Sequence, residues 1–221
     1  MNNTVSAVLQ KPNKGIALLL LLVPFLVMYL PLFKFPYTFC TISAFVFLFT
    51  WLQDGHIHVL QLKKFTANDL LVTLLAYVVL EGSMDFLVQP AITKLLHEPA
   101  DYSSFAMLKG NTKAYVKWLC LMWLSAAFGE ELFFRSYCIA QLQRIIGNRP
   151  LVHIFISAAL FAAPHIYQGI AGALTTFVFG LAFGFIYVRW KNSWINILVH
   201  GLIDTVFLTL SYFGLTHFYG T

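Results

Sequence analysis

Three short groups of residues in the C-terminal half of this 221-residue chain have the types and spacing to do chemistry. The first is Gly129-Glu130-Glu131-Leu132-Phe133-Phe134-Arg135, two adjacent carboxylates and an arginine within an apolar run. At helical spacing Glu131 and Arg135 share a face at i,i+4 and can form an ion pair. Glu130 is turned about 100° from Glu131, so it can face a different cavity. The second group is Phe161-Ala162-Ala163-Pro164-His165, where Pro164 breaks a helix and frees backbone groups that need a polar pocket. The third is His200-Gly201-Leu202-Ile203-Asp204, in which His200 and Asp204 present one polar face at i,i+4 and Asn196 extends it by a turn. Each group alone has a bland reading: an ion pair joining two helices, an interfacial histidine, a histidine satisfied by its own carboxylate. The first of these leaves Glu130 unexplained. Together the groups supply a buried carboxylate and two imidazoles. Water activation needs that set, a base to take the proton and donors for the developing oxyanion.

The elements that must position these residues are membrane helices. Hydrophobic residues make up 59% of the chain and charged residues 10%, against roughly 45–50% and about 25% in soluble domains. Apolar runs at 16–33, 37–52, 70–90, 115–145, 151–163, 170–190 and 194–215 predict an all-α, polytopic transmembrane bundle of about seven segments. They lack the alternation of barrel strands. The first run follows Lys11 and Lys14 and is read as a retained span, because Phe35-Pro36-Tyr37 follows it rather than a small-residue cleavage site. The net charge of +5 sits between apolar runs, which points to topology and away from nucleic acid. Lys63-Lys64, the Arg144–Arg149 turn and the Arg189–Lys191 turn would be cytoplasmic with the N-terminus. Lys94, Lys109 and Lys113 would fall on the other side. Cys40, Cys120 and Cys138 show no metal or disulfide spacing and read as buried thiols without a chemical role.

The joint pattern, Glu130-Glu131…Arg135, Phe161…His165 and His200…Asp204, resembles the CAAX protease and bacteriocin-processing (Abi) family of intramembrane proteases. The resemblance covers about residues 113–215 as a catalytic core, with 1–112 as N-terminal scaffold helices. It implies hydrolysis of a peptide bond in a membrane-associated protein or peptide. Glu130 would activate the water, His165 would hold it or share its proton, and His200 with Asp204 would stabilise the oxyanion. Glu131 and Arg135 would orient the site. Asp204 stands where the eukaryotic-like pattern has asparagine, and an ionised aspartate has no proton to donate. It would instead fix the tautomer of His200, stay protonated, or ligate a metal. No cofactor is favoured; zinc held by Glu130, His165, His200 and Asp204 is the alternative.

Other features are weighed against the same background. Glu81 and Asp85 form a further i,i+4 pair within 70–90. They read as a polar stripe facing the bundle, with Gly82-Ser83 allowing close packing, in preference to a water or substrate path. His56 and His58 read as solvated. A silent membrane scaffold or bacteriocin-immunity protein of the same fold is the first rival function. A proton-coupled transporter is the second, and the absence of repeated halves tells against it. A chain this small suggests a prokaryotic cell membrane; substrate identity and oligomeric state leave no mark on the sequence.

Overall fold

The computed structural model describes residues 13–31 and 35–216; Lys11 and the end of the first apolar run, with Phe33, lie outside the described residues. The described chain is helical, without strands. Its main helices are α1 (Lys14–Val27), α2 (Tyr37–Asp54), α3 (Ala67–Leu96), α4 (residues 112–146), α5 (Pro150–Ala162), α6 (Gly169–Trp190) and α7 (Ser193–Phe213). Two of them change winding along their length. In α3 a π-helical turn spans Met84–Val88, and Gln89 donates its N–H to the carbonyl of Met84 five residues back. This wider turn lies just before Pro90, which has no N–H to continue the regular ladder. In α4 the whole middle, Trp123–Tyr137, is π-helical between α-helical ends Thr112–Met122 and Cys138–Ile146.

Helix ends follow local chemistry. Thr66 and Asp69 cap α3 reciprocally, with the Asp69 N–H to Thr66 Oγ1 at 3.2 Å and the Thr66 N–H to Asp69 Oδ2 at 2.9 Å. Asn111 and Asn192 cap α4 and α7. Between α4 and α5, Gly147 takes φ 76°, a left-handed angle that side chains resist, and Pro150 opens the next helix. Pro164 ends α5 as anticipated, in a 3-10 turn over Ala163–Gln168 before Gly169 starts α6.

An antiparallel seam between α4 and α7 organises the bundle. Along it Ser136 meets Ser193 at 2.7 Å, Trp123 Nε1 donates to Thr205 at 3.1 Å, Tyr115 meets Thr209 at 3.0 Å and Thr112 meets Tyr212 at 3.0 Å. Gly201 lies against the Trp123 ring, where a Cβ would collide with it. The first core packs Leu132, Phe133, Phe134 and Tyr137 of α4 against Leu21 of α1 and Ile42 and Val46 of α2. A second packs Leu80 and Met84 of α3 against Phe183 of α6 and Ile195 and Val199 of α7. Gly180 and Gly184 let α6 lie directly on Ala158 and Ile154 of α5. Gly82 does no such work: a Cβ there would meet nothing, because that face of α3 points outward.

The basic turns gather at one end of the bundle. Arg144 holds Asp54 through Nη2 at 2.8 and 2.7 Å, and the Ser193 hydroxyl donates to the Leu60 carbonyl at 2.6 Å. The 97–111 connector closes the other end. Its Gly110 N–H bonds the Tyr212 carbonyl at 2.9 Å, and its Asp101 N–H bonds the Gln168 carbonyl at 2.9 Å.

Among the described residues, three helical runs are long and apolar enough to cross a membrane: Ala67–Leu96, Pro150–Trp190 and Ser193–Phe213. The seven separate spans expected from hydropathy are not confirmed. The first helix, with 14 residues, and α5, with 13, fall short of the ~20 needed for a bilayer. Helix α4 has the length but carries Glu130, Glu131 and Arg135 in its middle. The outer surface still has the pattern of a membrane protein, since Val78, Val79, Phe86 and Leu87 of α3 are exposed while Gln89 is buried. Cys138 is buried as expected, whereas Cys40 and Cys120 are exposed on outward helix faces.

Gly180→Val is expected to force α5 and α6 apart, at the about 1–3 kcal/mol typical of overpacking. A lowered thermal midpoint of the detergent-solubilised protein checks this.

Candidate active site

The site begins with a carboxylate that has no access to solvent. Glu131 is 0% exposed, at the centre of the π-helical part of α4. Its Oε1 lies 2.9 Å from His200 Nδ1, and its Oε2 accepts from Asn196 Nδ2 at 3.2 Å. Arg135 Nε approaches Oε2 at 3.3 Å, as its i,i+4 spacing suggested. The guanidinium nitrogens have no aligned hydrogen-bond acceptor among the described residues. Arg135 is held instead by charge and by aromatic faces, with its Cζ 4.0 Å from the Phe161 ring centroid and 5.1 Å from that of Phe183.

These contacts settle the orientation of His200. A carboxylate can only accept, so the ring donates through Nδ1 and turns Nε2 towards Asp204. Asp204 Oδ2 stands 3.6 Å from Nε2, too far for a hydrogen bond, and has no other hydrogen-bond partner among the described residues. Glu131, and not Asp204, therefore fixes the tautomer of His200. The imidazole is further braced by Phe183, stacked at 5.1 Å, and by Phe161, edge-on at 6.2 Å.

His165 is set by the break after α5. Its Nδ1 lies 2.9 Å from the Phe161 carbonyl, which accepts, so Nδ1 carries a proton and Nε2 is left as the acceptor of the neutral ring. Glu130 is 8% exposed and hydrogen-bonds to no described residue. It does not join the Glu131 cluster. It lines a cavity of about 420 Å³ that His165, His200 and Asp204 also line. The adjacent glutamates thus divide as their spacing suggested, one open to a cavity and one locked behind it.

The cavity reaches further than the three motifs. Glu81, Asp85 and Gln89 of α3 line it, as do Tyr102 of the connector and Tyr167 and Gln168 after α5. The stripe on α3 faces inward as expected, but onto the site's own cavity rather than onto packed helix. Tyr102, Tyr167 and Gln168 carried no sequence signal, because a connector and a helix break bring them in. Asn196, noted only as an extension of the His200 face, is a direct ligand of Glu131. His56 and His58 stack on each other at 4.8 Å in the exposed connector after α2, apart from the site. No group of three or more His, Cys, Asp or Glu among the described residues is arranged to hold a metal ion.

Arg135→Met is expected to leave Glu131 buried without its cation and to cost about 3–5 kcal/mol. Arg135→Lys, which keeps the charge but loses the planar stacking, should fall between it and wild type in thermal unfolding.

No curated protein and no solved structure matches the chain. Residues 112–206, which contain all three motifs, match a protease family described as type II CAAX prenyl endopeptidase Rce1-like. The match agrees with the resemblance drawn from Glu130-Glu131…Arg135, Phe161…His165 and His200…Asp204, and with the apolar helices it points to a membrane protein with a segment similar to the Rce1-like protease family.

Proposed function

We propose that the protein is an intramembrane endopeptidase of the CAAX-processing type, hydrolysing a peptide bond of a membrane-associated protein or peptide with a water activated by Glu130. The observation that carries this reading is the company Glu130 keeps. It is a buried carboxylate without a hydrogen-bond partner among the described residues, lining the same cavity as both motif histidines. A base held ready in this way can take a proton from water.

In this reading the water oxygen attacks the scissile carbonyl carbon while Glu130 accepts the water's proton. His165 steadies the water through Nε2, the acceptor left free by the bond from Nδ1 to the Phe161 carbonyl. The tetrahedral oxyanion is met by His200 in its imidazolium form, whose Nε2–H donates to it while Nδ1–H stays anchored on Glu131. Collapse breaks the C–N bond, and the proton held by Glu130 passes to the departing amine nitrogen. Glu131, Arg135 and Asn196 act as positioning residues behind His200. Asp204 bears on His200 by charge across 3.6 Å.

The chain is further read as multi-pass, in the cell membrane of a prokaryote, with the end bearing Lys63-Lys64, Arg144–Arg149 and Arg189–Lys191 in the cytoplasm. The cavity lies in the other half, beside the 97–111 connector.

Membranes carrying wild-type protein are expected to contain peptide termini that Glu130→Gln reduces at least about 100-fold, the scale of a general base. His165→Ala should remove the same termini, scored by mass spectrometry. Identical termini in all three, with equal expression and folding, would favour a silent scaffold. Chelators are expected to leave this cleavage intact. Loss on chelation and recovery with zinc would replace the glutamate-base mechanism by a metal-dependent one.

A further inference from the structure

The three motifs account for Glu130, His165, His200 and Asp204, but the same cavity has two more carboxylates, Glu81 and Asp85, from α3. Among the described residues, four carboxylates line this cavity and no lysine or arginine does. Arg135 lies behind the wall, engaged with Glu131. Asp85 is held in place rather than loose: Gln89 Nε2 donates to its Oδ1 at 2.9 Å, and the Tyr102 hydroxyl reaches Gln89 Oε1 at 3.5 Å. Glu81 lies near enough to Asp85 and Asp204 to interact electrostatically with both.

Much of the rest of the wall is aromatic. Phe105, Trp118, Phe179 and Phe207 line the cavity together with Tyr102 and Tyr167. Carboxylates among aromatic faces favour one ligand chemistry, a cation on an apolar stem, through ion pairing at the head and ring contact along the chain. Glu130, more than nine-tenths buried and without a hydrogen-bond partner among the described residues, opens into the same space, so a bound cation would lie in the chamber that the peptidase reading assigns to scission.

We propose that Glu81 and Asp85 form a specificity subsite that takes a basic side chain, lysine or arginine, of the bound peptide. This rests on the peptidase reading for its biological meaning, but the binding it describes can be measured without turnover. Helix α3 is then a recognition helix, and its π-helical turn at Met84–Val88 sets how Asp85 and Gln89 meet the cavity.

The test uses the full-length Glu130→Gln protein in nanodiscs of zwitterionic lipid and three fluorescent peptides of one apolar sequence. One has an internal lysine and a blocked amino terminus, one has norleucine at that position, and one has norleucine and a free amino terminus. Fluorescence anisotropy should show the lysine peptide bound at least about tenfold more tightly than the blocked norleucine peptide, the scale of one charge-assisted contact. Adding Glu81→Gln and Asp85→Asn should bring the two within about twofold while norleucine binding, the check on folding, persists. The single Glu81→Gln variant serves if the double variant fails to fold. Equal binding of lysine and norleucine peptides, or a lysine preference that survives these substitutions, overturns the subsite. Preference for the free amino terminus over the internal lysine overturns the side-chain assignment. Lysine preference without Glu130-dependent cleavage in membranes would sink the peptidase reading and leave the subsite standing; cleavage without the preference would do the reverse.

Discussion

The arrangement depends on one buried charge. Glu131 has no exposed surface, and an unpaired carboxylate in that position would cost several kcal/mol. Its two oxygens are met by Arg135 from its own helix and by Asn196 and His200 from α7. Those contacts pin α7 to α4 at the level of the site, and the Ser136–Ser193 and Trp123–Thr205 contacts extend the seam to either side. One satisfied charge therefore sets the spacing of two helices and the tautomer of His200. It also sets the direction in which the neighbouring Glu130 opens, because the helix carrying both is fixed in rotation.

Much of this was legible in the residues. The Glu131–Arg135 pair, the helix break at Pro164, the polar face from Asn196 to Asp204 and the different surroundings of the adjacent glutamates all follow from short-range spacing, and the structure contains each of them. The parts that were not legible depend on contacts distant in sequence. Nothing local distinguishes Trp123–Tyr137 as π-helical, a winding rare enough that a run of apolar residues does not suggest it. Tyr102 reaches the cavity only because the connector folds back over α7, with Phe105 and Leu108 packed on Leu208. Glu81 and Asp85 read as inward-facing, with a packing stripe preferred to a path into the site; nothing local to the pair decides between the two, and it is the cavity that they line. Gly82 read as a packing glycine because small residues so often serve packing in membrane helices, yet it sits on an open face. The count of about seven spans is not confirmed for a physical reason as well: apolarity alone does not fix helix length, and the described α1 and α5 have 14 and 13 residues.

The molecule has an inverted polarity that suits its solvent. On α3 the large apolar side chains Val79, Phe86 and Leu87 face outward, and Glu81, Asp85 and Gln89 face the cavity. Lipid accepts the first set, and the interior must hold the second. A polar chamber lined by aromatic rings results, screened by the same helices whose outer surfaces lipid covers. Chemistry that needs water and charge can then proceed inside an apolar envelope.

The seam between α4 and α7 also has a consequence for biogenesis. Of the residues that satisfy Glu131, only Arg135 is made with it; Asn196 and His200 belong to α7, more than sixty residues downstream. When α4 is synthesised its carboxylate therefore has only the cation of its own helix. A stretch of chain made later is the one that completes the satisfaction of the earlier helix, which ties the settling of α4 to the arrival of α7.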